Sequence, residues 1–426
     1  MANEIEEARA GLSTIISRET KLIKNIQSSN KWYILILAAL TGSLGVAAQG
    51  ICMPVLFKQI SEALGLSLVQ VGSVWGMVYL AGFSTHLING MLGDRLGYKR
   101  VMALSCFLVG IAGAFRGLSY DFISLAATAF VYGVFSSMIV VNQTKVAKIW
   151  FPREKLALAN GVLATGYSLG FTLGAMISAT LLSPWLGGWR NVLFLYGSIS
   201  VILGILWHFT VREPERDPLS DGPPTVPMRR ALSHVIHLRS VWILGFVFLG
   251  YNGALQGIIG YLPLYLRNIG WPAVNADGTL AAFNLAGAFG AIPIALLSDR
   301  LGLRKVLLSV LIVAAIVGTA LIPFFESGLV SFLAIMVGFT RDPSMVLLFV
   351  LTMESRGVSV AYFGTAIGLI QTISSIGAAI SPPVGNSLAS LSLGSPYFFW
   401  AALAVMAWIV LRFAEETGYR GALGKG

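Results

Sequence analysis

The sequence predicts an all-α integral membrane protein with twelve transmembrane helices arranged as two pseudo-symmetric six-helix bundles. Three observations predict it. The composition is 56% hydrophobic and only 11% charged, with a mean hydropathy of +0.78, far from the balance of a soluble domain. Apolar runs of roughly 20 residues, enough to cross a hydrocarbon core of about 30 Å, recur with short polar breaks between them. Finally, several landmarks return about half a chain apart, in the same order.

The elements follow in chain order. Residues 1–31 form a polar tail, acidic at first through Glu4, Glu6 and Glu7; it lacks the apolar core of a secretory signal, so no cleavage is expected. The first bundle occupies 32–210, with spans predicted at 32–56, 70–92, 100–118, 122–149, 156–181 and 190–210. A linker follows at 211–240, where "REPERDPLSDGPPTVP" has linker composition and "MRRALSHVIHLRS" fits either an interfacial helix or a solvated loop. His234 and His237 in it are expected at the surface. The second bundle occupies 241–414, with spans at 241–265, 278–298, 304–324, 328–353, 358–382 and 395–414, before a short tail at 415–426.

Charge placement orients the chain. The net charge is +10, but 24 of the 29 Lys and Arg lie on the side that carries both termini, which places those termini in the cytoplasm and argues against nucleic acid as a partner. The expected location is the plasma or inner membrane. The opposite side has Lys58, Arg116, Arg190 and Arg267; Arg116 is expected to extend to that interface and stay solvated. Cys52 and Cys106 both fall inside spans and suit packing better than a disulfide, a metal site or a cofactor.

The repeat fixes the organisation. "GMLGDRLGYKR" at Gly90–Arg100 returns as "ALLSDRLGLRK" at Ala295–Lys305, "QGI" at Gln49 returns at Gln256, and "GAMIS" at Gly174 returns as "GAAIS" at Gly377, all at offsets of 203 to 207 residues. Helices 1, 2 and 5 therefore match helices 7, 8 and 11. Six spans per half make the repeat parallel, so the centre of the molecule lies where the halves meet.

The motif Gly90-x-x-x-Asp94-Arg95-x-Gly97-x-Lys99-Arg100 resembles the signature between helices 2 and 3 of the major facilitator superfamily, and Asp299-Arg300-x-Gly302 with Arg304 and Lys305 resembles its weaker copy between helices 8 and 9. The resemblance covers about residues 30–415 and implies a secondary transporter working by alternating access, with these motifs as conformational latches. Physically, Gly97 and Gly302 suit a tight turn, and Asp94 could pair with a helix N-terminus and a basic residue. Other signatures are missing. Ala129 stands where many members carry the arginine of Arg-x-x-x-Gly before Gly133, and helix 5 has Gly166, Gly170 and Gly174 without the Gly-Pro of drug antiporters. "WFPREKLALANG" at Trp150–Gly161 is similar to a segment of cyanate-permease-like and other anion porters.

The resemblance implies a cavity lined by helices 1, 4, 7 and 10. Polar residues inside those spans include Gln49, Tyr132, Ser136, Tyr251, Asn252 and Gln256, each suited to helix contacts at least as well as to a solute. Arg341 and Asp342 differ. They occupy the middle of helix 10, beside Pro343, where a charge facing lipid costs roughly 2.5–3.5 kcal/mol or more. Both must face protein or water, and their side chains project about 100° apart on a helix, too far for an ideal bidentate pair. The expectation is that Arg341 binds an anionic group of a small organic or inorganic solute while Asp342 holds it or takes up a proton; a buried ion pair or gate is the alternative. A cationic or zwitterionic solute anchored by Asp342, or a membrane sensor that does not transport, are the competing functions. No nucleotide loop, metal cluster or nucleophile–base spacing suggests an enzyme. The expected partners are a small-molecule substrate, protons if transport is coupled, and the lipid bilayer, with the chain acting as a monomer.

Overall fold

The computed structural model describes residues 31–151, 155–211, 228–325 and 328–417. The tails and most of the linker fall outside the described residues. The first half comprises α1 (Lys31–Leu64), α2 (Leu68–Leu96), α3 (Tyr98–Phe115), α4 (Phe122–Trp150), α5 (Leu156–Ile177) and α6 (Trp189–Thr210). The second comprises α7 (Arg239–Asn268), α8 (Ala273–Leu301), α9 (Arg304–Leu321), α10 (Gly328–Glu354), α11 (Val360–Ser387) and α12 (Ser395–Leu411). Among the described residues, 11 helices are long and apolar enough to cross a membrane, and α12, of 17 residues, is the shorter twelfth. The protein is an integral membrane protein.

Local chemistry sets the element ends. Ser67 and Gln70 form a reciprocal capping box that starts α2, and Asp121 and Ser124 do the same for α4. The Ser124 N–H and hydroxyl hold the Asp121 carboxyl below its ordinary range. The loop-motif glycines make the expected turns: Gly97 has φ +81° and Gly302 has φ +61°, values that favour glycine. Several predicted ends move, α11 for example running on to Ser387. α1 runs on to Leu64, where Gly65 closes it, and α8 begins at Ala273, which carries Asp277 inside the helix. In the linker, Met228–Val235 is helical and docks by Ala231 and Val235, with His234 and His237 exposed. His234 stacks on Tyr362 and bonds the Gly357 carbonyl oxygen.

The halves meet through α2 against α11 and α5 against α8, two contacts related by the sequence repeat, with the second part of α1 against α7 between them. The face that carries both termini is called the near face, and the opposite one the far face. Cross-half packing is tightest towards the far face. A Cβ on Gly72 of α2 would meet the Pro382 carbonyl oxygen at 2.7 Å, and one on Gly76 would collide with the Ala379 carbonyl. By contrast, Gly161, Gly364 and Gly368, near the near-face ends of α5 and α11, border open space.

Within the first half, α5 lies close along α1, whose residues Thr41–Ala48 are π-helical. The glycine stripe read from the sequence makes this contact: Gly166 faces Ala39, Gly170 faces the Ser43 backbone, and Gly174 faces Ala48. Gly170→Ala should therefore destabilise the protein by about 1–3 kcal/mol through overpacking. Gly161→Ala, on open space in the same helix, should be neutral or stabilising by up to about 1 kcal/mol. Thermal unfolding in detergent distinguishes them; equal melting temperatures for the two variants would contradict the close packing.

Candidate functional site

The site starts from small residues on α8 and α10. Gly338 of α10 lies directly on the Phe283 backbone, and a Cβ on Gly290 of α8 would meet Phe339 at 2.9 Å. A Cβ on Gly287 would stand 3.1 Å from Asp342 Oδ2, so the missing side chain makes room for that carboxylate. This close approach brings Asn284 of α8 to Arg341 of α10.

Asn284 is nearly fully buried, and its amide is oriented: Nδ2 donates to the Leu280 carbonyl at 2.9 Å, which turns Oδ1 towards Arg341 Nη1, also at 2.9 Å. Arg341 Nε lies 3.8 Å from Asp342 Oδ1, a long single contact in keeping with neighbouring helical positions. The guanidinium also lies over the ring of Phe171, 4.7 Å from its centroid, and Phe171 belongs to α5 in the other half. Side-chain exposures of 19% for Arg341 and 30% for Asp342 leave both partly accessible at mid-helix. Among the described residues the hydrogen bond of the Arg341 guanidinium is made by Nη1, and none engages Nη2.

A polar thread runs beside this group across the interface. Ser374 of α11 accepts from Asn252 Nδ2 at 2.9 Å, and Asn252 Oδ1 accepts from Gln256 Nε2 at 3.3 Å. Gln256 Oε1 then accepts from the Tyr79 hydroxyl of α2 at 2.6 Å, while Trp75 Nε1 donates to the Gln256 carbonyl at 3.0 Å. Tyr251 is buried and tied to α10 through Thr340 at 2.7 Å and Ser344 at 3.2 Å, so it braces α7 against α10 instead of facing open space.

The first-half candidates are placed elsewhere. Gln49 does not meet its repeat partner Gln256; it is fully buried, accepts from Ser200 of α6 at 3.0 Å and presses against Gly113 of α3. Its carbonyl accepts from Arg116 Nη2 at 3.1 Å. The expectation that Arg116 reaches water is overturned: it is 0% exposed and lies 3.9 Å over the ring of Tyr132, whose hydroxyl donates to the Val46 carbonyl. Carbonyl oxygens and a π face replace the water. Ser136 donates back to the Gly133 carbonyl of its own helix. Gln49, Tyr132 and Arg116 thus form the inside of the first half, apart from Arg341.

Of the loop motifs, Gly90 falls within α2, the side chains of Asp94 and Arg95 lie outside the described residues, and Lys99 and Arg100 open α3. In the second copy, Asp299 pairs with Arg304 at 2.8 Å, and Arg304 also reaches Glu354 at 3.5 Å, all within one half. The C-terminal segment adds to this loop: the Glu416 carboxylate accepts from the Lys305 and Val306 N–H groups, which caps α9. A cavity of about 610 Å³ lies at the far face, lined by Trp271, Asn275, Thr279 and Ser331. It belongs to one half and, among the described residues, is lined by no charged side chain, so the mid-helix group is the stronger candidate.

Sequence reasoning found Arg341 and Asp342 by charge in an apolar span. It missed Phe171 and Tyr79, which carry no signal beyond aromaticity, and Asp277, which was placed one residue outside its span.

The family model described as Major Facilitator Superfamily matches residues 32–361 and 279–425. The cis,cis-muconate transport protein of Acinetobacter baylyi is 26% identical over 419 residues, covering 92% of this chain and 96% of its own. The gallate transporter of Pseudomonas putida is 26% identical over 434 residues, covering 88% and 91%. A bacterial homologue of the human lysosomal transporter Spinster, solved in an inward-facing, unoccupied conformation, shares the fold with a TM-score of 0.74 at 16% identity, over 92% of this chain and 98% of that one.

Asn284 is the joint of the group, because among the described residues it is the one that accepts from Arg341 Nη1. Asn284→Ala should lower stability by about 1.5–3 kcal/mol, the range for a hydrogen bond to a charged group. Chemical denaturation would show this as a shifted midpoint; an unshifted midpoint would mean that water replaces the amide at no loss.

Proposed function

The chain belongs to the major facilitator superfamily, and on that premise we propose that it carries a small organic anion, with a carboxylate held by Arg341 between the two halves. That the protein is a transporter of a small molecule, and not an enzyme, follows from the family and from the transporters it resembles. The identity of the solute is the proposal. Muconate and gallate, named for two relatives, are both carboxylates at neutral pH.

The observation that carries the proposal is the state of Arg341. One edge of its guanidinium is fixed by Asn284, one face rests on Phe171, and Nη2 has no hydrogen-bond partner among the described residues. A cation at mid-span that is oriented yet incompletely satisfied suits a carboxylate, which accepts two charge-assisted hydrogen bonds from a guanidinium. Asp342, at 3.8 Å, partly neutralises Arg341 when the site is empty and would be repelled by an arriving anion. Uptake of a proton by Asp342 would relieve that repulsion, which makes it the residue proposed for coupling. Phe171 makes the site sensitive to the position of both halves, since ring and guanidinium come from opposite sides of the interface.

Alternating access supplies the rest of the proposal. With the termini in the cytoplasm, as the Lys and Arg distribution implies, the far face is outward and the packing described above corresponds to a state closed to the outside. Rocking of the halves about Arg341 and Phe171 would then expose the site to each side in turn.

The test is thermal stabilisation of the purified protein by a panel of carboxylates, inorganic anions, amines and sugars. Carboxylates should raise the melting temperature, and Arg341→Gln should weaken binding about 10- to 100-fold, the loss of one or two charged hydrogen bonds. Stabilisation confined to amines, or unchanged uptake by Arg341→Gln in proteoliposomes, would overturn the assignment.

A further inference from the structure

A second buried arginine lies outside the candidate site. Arg267, at the far-face end of α7, is 9% exposed, and Asp277, on the first turns of α8, is 0% exposed. The turn at Ile269–Pro272 brings them together: Arg267 Nη2 donates to both carboxylate oxygens at 2.6 Å. Nη1 of the same guanidinium crosses to the other half and donates to the Val55 carbonyl of α1.

From this geometry we infer that Arg267 and Asp277 form the latch of the far-face gate, with Asp277 as the residue that holds Arg267 in position to grip α1. The inference rests on the alternating-access reading and goes beyond the solute site. Other contacts that close this face are uncharged. Asn386 of α11 donates to the Leu68 carbonyl at 2.9 Å, Trp75 packs on Gly260, and Gly72 and Gly76 lie against α11. Among the described residues at this face, Arg267 is the charged group that makes a hydrogen bond across the halves.

Burial explains why the pair suits a latch. A guanidinium removed from water is tolerated only when a carboxylate and further acceptors meet it, and here Asp277 takes Nη2 and the Val55 carbonyl takes Nη1, while Nε is buried without a partner among the described residues. Both members of the ion pair belong to the second half, so the pair travels with that half as the face opens. The bond to Val55 is the part that must break and reform. Asp277 keeps the guanidinium aimed throughout, ready to close again on α1.

An asymmetry in burial sets the direction of the test. In the closed state the pair is dry, and in the open state it meets water. Asp277→Asn leaves Arg267 charged and unpaired in the closed state alone, so the far-open state gains. Arg267→Gln leaves Asp277 in the same position, with the same result. The double variant leaves no buried charge, so closure returns towards that of the parent protein.

The measurement is the distance between spin labels at Glu62→Cys on α1 and Val274→Cys on α8, both exposed, in a background of Cys52→Ala and Cys106→Ala. Each single variant should raise the ratio of long to short distances about tenfold, and the combined Arg267→Gln and Asp277→Asn variant should reverse most of that rise. Unchanged distances in folded single variants, with only a lower melting temperature that the double variant restores, would overturn the latch and leave the pair as a brace of the second half. Either single variant alone supplies the test should the other not fold. No solute is required, so a failure to find a transported carboxylate would leave this result standing, and the reverse also holds.

Discussion

A guanidinium at mid-membrane depth has to be satisfied by protein or water, and much of the second half is arranged around meeting that constraint for Arg341. Its position on α10 places it more than ten residues from either helix end, beyond the reach of a side chain extending to an interface. The answer lies in backbone proximity. Gly338, Gly287 and Gly290 let α10 and α8 approach until Asn284 can accept from Nη1 and Asp342 can lie over a residue without a side chain. Phe171 covers the guanidinium from the other half. Among the described residues Nη2 has no acceptor, and a charge with a free donor in a partly accessible site is where a counter-charged solute gains most.

Arg116 solves the same problem in a different way. It is turned wholly inward, onto Tyr132 and the Gln49 carbonyl, and helps to hold the π-helical stretch of α1 against α3 and α4. The two halves thus share a fold and a repeat but divide their tasks. The first half uses Gln49, Tyr132 and Arg116 as internal bracing, whereas the second braces itself through Tyr251 but brings Gln256 and Arg341 to the interface. The polar thread from Ser374 through Asn252 and Gln256 to Tyr79 joins the halves beside the site, and Arg267 joins them nearer the far face.

How much of this was legible in the sequence depends on the kind of signal. Helix number and the two-half organisation were, because apolar runs and a repeated loop motif are set by local chemistry; Gly97 and Gly302 make their turns as that chemistry requires. Arg341 and Asp342 were legible because charge in an apolar span is rare. The facing of Gln49 was not: its repeat partner Gln256 lies at the interface, but a π-helical stretch just before Gln49 in α1 alters the helical phase. Asp277 was missed because α8 starts five residues before its apolar run, at Ala273 and not at 278. Phe171 and Tyr79 were missed because aromatic residues in membrane helices are common, and only the packing of α5 and α2 against the second half gives these two their place.

The central claim is that Arg341 receives the carboxylate of the transported solute. A structure of the protein with bound para-bromobenzoate, its bromine located by anomalous scattering, tests this most directly. The account predicts the carboxylate within hydrogen-bond distance of Arg341, between α5 and α10, with the ring near Phe171 and Tyr79. A carboxylate found elsewhere, with Arg341 still held only by Asn284 and Asp342, would contradict it.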